Sequence, residues 1–304
     1  PLISLFDIKS DITNYIFSSS PPAFTLVELL VTISIISVLL AILTPTMRKV
    51  RQQANRIISC SNQKQIVTAA NVFTLDNDNT YPQSVAYVEY NGGWNYNDPR
   101  TLASWGITDE HNFRSMSAYL HPYMPDAGTL SCPSSPKEFK YLQQVWDAGD
   151  DWNNPDTPFH ILCARGTYCF YWNYKGYLSS RINFIGPRNP AAGLNQSKLL
   201  MSCYFGYNHR RTPQAYGSCE KFADAAVLEE TLMAASWWVQ HRNFVKIKQL
   251  NTKLSAGYID GHVETYSPKE TVPMKVIKDR EKNEPYNNSK LSPGQFYIPV
   301  NALE

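Results

Sequence analysis

Residues 24–47 read FTLVELLVTISIISVLLAILTPTM and are followed at once by Arg48, Lys49 and Arg51. Glu28 is the one charge in the stretch, and from Leu29 to Met47 there is none. Crossing the hydrocarbon of a bilayer as a helix takes about 20 apolar residues, and this run is long enough. Val31, Ile33, Ile35, Ile36, Val38 and Ile42 are β-branched, a composition that favours strand in water. Strands of globular domains are far shorter, so length decides for helix. The alternative is a buried core helix; against it stands a run apolar on every face over the full length of a span. A cleaved secretory signal would place its basic residues ahead of a shorter apolar core, with a small-x-small cut site behind it. Here the basic cluster follows the run, whose far end reads Ala41-Ile42-Leu43-Thr44-Pro45. The reading is a membrane-spanning helix over 24–47.

The helical pattern continues past the span. Val50, Ala54, Ile57, Ile58, Ile66, Ala69, Ala70 and Phe73 recur at close to helical spacing among Gln, Asn, Arg and Lys. Pro45 therefore kinks the helix rather than ending it. From Phe24 to Leu75 the rod is roughly 75 Å long at 1.5 Å per residue. Its second half, 48–75, is amphipathic and is expected to lie against a head made by 76–304. Asp76-Asn77-Asp78-Asn79-Thr80-Tyr81-Pro82 stops it. The Asp-x-Asp spacing in that stop lacks the Gly and distal Glu of a calcium loop, so it reads as Asx turns at a helix end.

Charged residues make up 18 % of the 304, below the roughly 25 % of an ordinary soluble domain. The net charge of +2 argues against a nucleic-acid binder, which carries a strongly basic face. It also argues against an acidic disordered tail. A mean hydropathy of −0.35 excludes a multi-span membrane protein. Beyond residue 83 the chain reads as irregular β with long loops. The expected strands are Ser84–Glu89, Thr167–Lys175, Leu199–Tyr207, Ala256–Ile259 and His262–Tyr266, the last two joined by Asp260-Gly261 as a type I′ hairpin. Ala223–Val239 reads as a short helix, and the tail from Pro268 as a surface wrap. The fold class is α+β, one long N-terminal helix on a β-rich head.

Glu28 needs an explanation, because a carboxylate near the end of a membrane helix costs about 1–3 kcal/mol. Ala23-Phe24-Thr25-Leu26-Val27-Glu28-Leu29-Leu30 resembles the processing site of type IV prepilins and type II secretion pseudopilins. The resemblance implies a pilin-like fold, cleavage by a prepilin peptidase between Ala23 and Phe24, and N-methylation of Phe24. It makes Glu28 the assembly residue and Pro45 the mid-helix proline, and it leaves 1–23 as the leader. The family usually has Gly where Ala23 stands, and its leader is usually basic, whereas 1–23 hold Lys9 against Asp7 and Asp11. Cleavage there creates an α-amine one turn from Glu28, a partner for the carboxylate. In a filament the resemblance implies that amine and acid pair between neighbouring subunits. Cys60-x-Asn62-x-x-Gln65, Leu130-Ser131-Cys132-Pro133-Ser134 and Gly257-Tyr258-Ile259-Asp260-Gly261-His262-Val263 resemble a large-headed branch of prepilin-like proteins. That branch carries His, nine residues, then Asp-Gly near its C-terminus. Here eighteen residues, not nine, separate the nearest candidate, His241, from Asp260, so the spacing is broken.

Six cysteines, Cys60, Cys132, Cys163, Cys169, Cys203 and Cys219, are an even number in a head expected to be exported. Their separations make Cys163–Cys169 and Cys203–Cys219 reasonable bridges and leave Cys60–Cys132 to staple helix to head, with buried thiols as the alternative. No CxxC pair or Cys/His cluster has zinc spacing, so no metal is expected. His111, His121, His160, His209, His241 and His262 stand in no catalytic motif. Asp150 and Asp151 sit in a turn-like Gly-Asp-Asp-Trp-Asn-Asn stretch and read as solvated rather than as an acid–base pair. No catalytic constellation and no cofactor site is read. Trp94, Tyr96, Trp105, Trp146 and Trp152 are candidates for stacking on sugars, with core packing the commoner role of such residues.

The expected function is structural, a pilin-like subunit of a secretion or pilus-like filament. The expected partners are a prepilin peptidase, other pilin-like subunits and the inner membrane. Positive-inside placement would hold Arg48, Lys49, Arg51 and Arg56 in the cytoplasm, but long domains translocate largely regardless of charge. The head is therefore placed in the periplasm, single-pass, and later in a filament or on the surface. The alternative is a membrane-anchored surface protein that binds glycans.

Overall fold

A computed structural model describes residues 24–86, 99–104, 114–134, 141–152, 163–178, 183–207, 215–217, 225–228, 243–246, 253–279, 284–285 and 295–303. The chain divides into two compact units, Pro1–Arg51 and Gln52–Glu304. The fold is α+β. A long N-terminal helix, α1 (Leu26–Asp76), runs without interruption through Pro45, as the resumed pattern after the proline predicts.

Within the first unit every large apolar side chain from Phe24 to Met47 is at least 46 % exposed. The hydroxyls in this stretch turn back onto their own helix. Thr32 donates to the Leu29 carbonyl (2.8 Å), Ser34 to Val31 (2.7 Å), Ser37 to Ile33 (2.7 Å) and Thr44 to Leu40 (2.7 Å). Side-chain donors satisfied this way present nothing polar outward. At its far end α1 stops where Asp78 (φ 48°) and Asn79 (φ 56°) take the left-handed conformation, and the Asn79 N–H closes onto the Thr74 carbonyl at 2.9 Å. The helix stop falls where the Asx-rich run places it.

Among the described residues the second unit holds the rest of α1 and four sheets. One is β1 (Thr101–Ser104) between β2 (Arg114–Ser115) and β3 (Cys163–Arg165). Short helices α2 (Ser117–Leu120) and α3 (Leu142–Ala148) follow β2. A four-stranded antiparallel sheet is ordered β13-β12-β7-β4 from β4 (Tyr168–Phe170), β7 (Leu199–Cys203), β12 (Leu254–Tyr258) and β13 (Val263–Tyr266). The largest sheet runs β6-β5-β14-β16-β8-β9, with β15 on β14. Its strands are β5 (Lys175–Tyr177), β6 (Asn183–Ile185), β8 (Phe205–Tyr207), β9 (Ala215–Gly217), β14 (Thr271–Asp279), β15 (Glu284–Pro285) and β16 (Gln295–Pro299). A parallel pair, β10 (Ala225–Leu228) and β11 (Asn243–Lys246), completes the set.

Several expectations change here. Thr167–Lys175 and Leu199–Tyr207 are each two strands, not one. The first breaks at Tyr171–Tyr174, where Asn173 has φ 52°, and the second at Tyr204. In both cases the halves belong to different sheets, so these aromatic runs carry the chain from one sheet to the other. Residues 84–86 form no strand, and 87–89 lie outside the described residues. Ala225–Leu228 is strand rather than helix, because a paired neighbour at Asn243–Lys246 outweighs the helical propensity of its alanines; 229–239 lie outside the described residues. The tail from Pro268 is no surface wrap: β14 lies between β5 and β16 with Met274, Phe296 and Ile298 buried. Its alternation, Val272, Met274, Val276, is present in the sequence, but Pro273 argues against a strand there.

The hairpin between β12 and β13 is correctly placed but of a different type. Ile259-Asp260-Gly261 forms a three-residue loop, with Gly261 N–H bonded to the Tyr258 carbonyl at 2.9 Å and Tyr258 N–H to the His262 carbonyl at 3.1 Å. Gly261 alone takes positive φ, +86°, the geometry of a turn closed by a glycine bulge rather than type I′.

Helix α1 buries Ser59, Gln63, Ile66, Val67, Ala69, Ala70, Phe73 and Thr74; Ser59, Gln63 and Val67 face the four-stranded sheet, and Phe73 packs edge-on to Tyr119 and Tyr123. The buried stripe starts at Ser59, later than the pattern from Val50 implies: Val50 (60 %), Ile57 (63 %) and Ile58 (47 %) are exposed. Val67 sits over Gly257, where an added Cβ would come within 2.6 Å of Val67 Cγ2. Gly257→Ala should therefore destabilise the head by about 1–3 kcal/mol by overpacking. Combined with Val67→Ala it should cost less than the sum of the two single changes. Denaturant unfolding of the detergent-solubilised chain checks this, and strict additivity would show that the helix does not rest on β12.

Candidate functional site

Two places carry the sequence-derived candidates, and each is described by itself. In the first unit, Thr25 and Glu28 form a capping box at the start of α1. The Thr25 N–H and Oγ1 both donate to Glu28 Oε2, at 2.8 and 2.7 Å, and the Glu28 N–H reaches Thr25 Oγ1 at 3.2 Å. The signal, Thr-x-x-Glu ahead of an apolar run, is legible in the sequence. These bonds use Thr25 and Glu28 alone, so a cut before Phe24 leaves them intact. Phe24 is 69 % exposed, and Ala23 lies outside the described residues. By length and composition α1 can cross a membrane.

In the second unit the three segments singled out by resemblance converge. Asn62 Nδ2 donates to the Ser131 carbonyl at 3.1 Å, which joins the helix to the Leu130–Ser134 segment. Lys64 Nζ donates to the Gly261 carbonyl and Asn71 Nδ2 to the Ile259 carbonyl at 3.0 Å. Seven residues apart, Lys64 and Asn71 lie two turns along one face and grip two carbonyls of one hairpin loop. Asn71 Oδ1 in turn accepts from Tyr81 Oη at 2.7 Å. Burial pushes the Tyr81 hydroxyl well above its ordinary pKa, so it stays a donor. Within the loop, Asp260 Oδ1 accepts from the His262 N–H (3.1 Å) and pairs with His262 Nδ1 (2.5 Å). The partial burial of Asp260 opposes ionisation, but these His262 contacts hold its carboxyl below the usual range. The His262 ring stacks on Tyr258 with centroids 4.5 Å apart.

The helix residue that matters most was not a sequence candidate. Gln65 is exposed, whereas Gln63 is fully buried. Gln63 Nε2 donates to Ser255 Oγ at 2.9 Å and to Cys203 Sγ at 3.3 Å. Beside it Ser59 Oγ bonds Tyr168 Oη at 3.0 Å. Ser59 and Gln63 are four apart, a spacing that fits the buried stripe, but polar side chains gave no reason to place them there.

Among the described residues no disulfide is formed, the expected Cys60–Cys132 staple included. Cys219 and the side chain of Cys163 lie outside the described residues. Cys203 Sγ is occupied as a polar group, 3.1 Å from Ser255 Oγ and within reach of Gln63. Thiols used this way pack as small hydrophobes with weak hydrogen bonds.

The glycan candidates Trp146 and Trp152 are core residues, 2 % and 0 % exposed, with Trp146 Nε1 donating to the Met124 carbonyl at 2.8 Å. Trp94, Tyr96 and Trp105 lie outside the described residues, as do His111, His160, His209 and His241. His121 is 3.2 Å from Asp147. Asp150 Oδ1 accepts the Ser115 N–H at 2.8 Å, a loop contact. Among the described residues no group of three His, Cys, Asp or Glu is placed to hold a metal ion. Comparison with protein-family models, with curated proteins and with solved structures finds no match.

The half-buried Cys60 gives a pH-dependent reading of the seam. Burial, with Cys203 and Cys132 nearby, raises its thiol above the ordinary value, against the opposing effects of the Ser255 hydrogen bond and Arg56. Raised pKa means less thiolate, the reactive form. Iodoacetamide should modify Cys60 faster than the buried Cys132 and Cys203, and its rate should still be climbing at pH 9. Peptide mapping across pH 7–10 checks this, and a plateau by pH 8 would contradict the burial of Cys60.

Proposed function

We propose that this chain is a pilin-like filament subunit, made with a leader ending at Ala23 and inserted in a membrane through 24–47. The observation that carries the reading is the exposure of Ile57 and Ile58, which lie beyond the apolar run and ahead of the buried stripe. At about 1.5 Å per residue, 24–47 spans about 36 Å and fills a hydrocarbon layer of about 30 Å. Ile57 and Ile58 come about ten residues after Met47 in the sequence and are 63 % and 47 % exposed. Lipid does not cover side chains so far past the span; the corresponding helix of a neighbouring subunit does. An anchor for a glycan-binding head has no need of them, and the two candidate tryptophans described are buried.

Glu28 supports the reading less directly. Its capping box supplies a use within its own helix, so the carboxylate by itself does not separate filament subunit from anchor. On the filament reading it serves twice, first capping the inserted monomer and then meeting the α-amine of an adjacent Phe24.

Two outcomes are expected. Intact-mass and N-terminal peptide analysis of membrane-extracted protein should find a chain that starts at an N-methylated Phe24; a chain retaining 1–23 removes the processing step. Changing Ile57 and Ile58 together to Ser should leave membrane insertion unchanged and the head folded, while in-cell crosslinking to other subunits falls at least several-fold. Undiminished crosslinking in that variant would hand the lead to the anchored-binder reading.

A further inference from the structure

We infer that the Asp260–Gly261 linkage is a site of isoaspartyl modification, held closed by His262, whose opening releases helix α1 from the β12–β13 hairpin. Asp-Gly occurs once in the 304 residues, at this position. A glycine after the aspartate leaves the peptide nitrogen unshielded by any Cβ, so here the side chain closes most readily on the backbone. In that step the Gly261 nitrogen bonds to Asp260 Cγ. Its proton and the carboxyl hydroxyl leave together as water, and a succinimide ring results. Water then opens the ring. Opening at the main-chain carbonyl routes the chain through the side-chain carbonyl, with one more methylene in the backbone and no net change in mass.

Both reacting groups are engaged in the folded loop. Gly261 is buried, and its N–H is committed to the Tyr258 carbonyl at 2.9 Å. Asp260 Oδ1 accepts the His262 N–H at 3.1 Å and lies 2.5 Å from His262 Nδ1, so the carboxyl is tied to the residue beyond Gly261. The ring of His262 is itself fixed by stacking on Tyr258, with centroids 4.5 Å apart and planes 7° from parallel. Partial burial opposes ionisation of Asp260, but the His262 contacts hold its carboxyl below the usual range. The ionised form is the unreactive one, because its oxygen cannot leave as water without a proton. The Asp260 and His262 side chains are 64 % and 51 % exposed, so solvent reaches the carboxyl and the His262 contacts are what restrain it. One added methylene is felt at once in this loop. Asn71 Nδ2 and Lys64 Nζ grip the Ile259 and Gly261 carbonyls, on either side of Asp260, and a longer backbone between them shifts one carbonyl off its donor. The inference concerns the head alone and stands whether or not the chain builds filaments.

The test ages the full chain, solubilised in detergent, in warm neutral buffer made with heavy-oxygen water. Each passage through the ring leaves one heavy oxygen at Asp260, and peptide mapping scores that uptake together with the isoaspartyl peptide, which separates chromatographically. Rates are taken relative to deamidation at Asn91–Gly92, which passes through the same kind of ring. His262→Ala should raise both readouts several-fold. Asn71→Ala loosens the grip on the loop but leaves the Asp260–His262 pair, and should stay close to the unmodified chain. Equal rates in His262→Ala and the unmodified chain overturn the guarding role. An Asn71→Ala rate as high as that of His262→Ala overturns it too, since loop rigidity would then be the barrier. In the aged His262→Ala chain, brief proteolysis at intermediate denaturant should deplete the isoaspartyl form first; equal survival of the two forms overturns the release of the helix.

Discussion

Val67 resting on Gly257 is the contact on which the helix–sheet arrangement depends. Only a strand position without a side chain lets the helix come that close, and the approach brings the polar groups on either side into bonding range. Gln63 then reaches Ser255 and Cys203, and two turns of helix carry Lys64 and Asn71 to the hairpin carbonyls. The glycine bulge at Gly261 serves the same contact, since it presents the Ile259 and Gly261 carbonyls to the helix while His262 returns to pair with Tyr258. A buried amide, serine and thiol in such a seam stabilise it only because they bond one another. The same dependence makes the seam intolerant of small shifts, because each displaced bond leaves a buried polar group unsatisfied.

The two parts of α1 solve opposite solvation problems with one backbone. Up to Arg51 the helix turns large apolar side chains outward and folds its hydroxyls inward, an arrangement suited to an apolar medium. From Ser59 it does the reverse, burying Ser59 and Gln63 while Lys64, Gln65 and Thr68 face out. Ile57 and Ile58 fall between these regimes, outside both the span and the buried stripe. On the filament reading that intermediate zone is where another copy of the helix lies. Glu28 belongs to the first regime, and Thr25 makes a carboxylate tolerable there by donating its N–H and hydroxyl to it in the helix's first turn.

The sequence by itself determined the elements whose cause is local. An uninterrupted apolar run is helical by length, a Pro amid resumed periodicity does not end a helix, and an Asx-rich run stops it. Asp-Gly between alternating segments makes a hairpin. The Thr25-x-x-Glu28 capping box is equally local. What the tertiary structure decided depends on pairing between residues far apart in the chain. Two aromatic strands divide between sheets because each half finds a different partner, and Ala225–Leu228 is extended because Asn243–Lys246 runs beside it. The tail becomes a central strand because β5 and β16 flank it, despite Pro273. The site follows the same division. The three motif segments were visible as strings, but Gln63 in place of Gln65, and Cys203 beside Ser255, emerge only when helix α1 is laid across β7 and β12. A polar or thiol side chain has no intrinsic preference for burial, so its place is set by the partner that satisfies it.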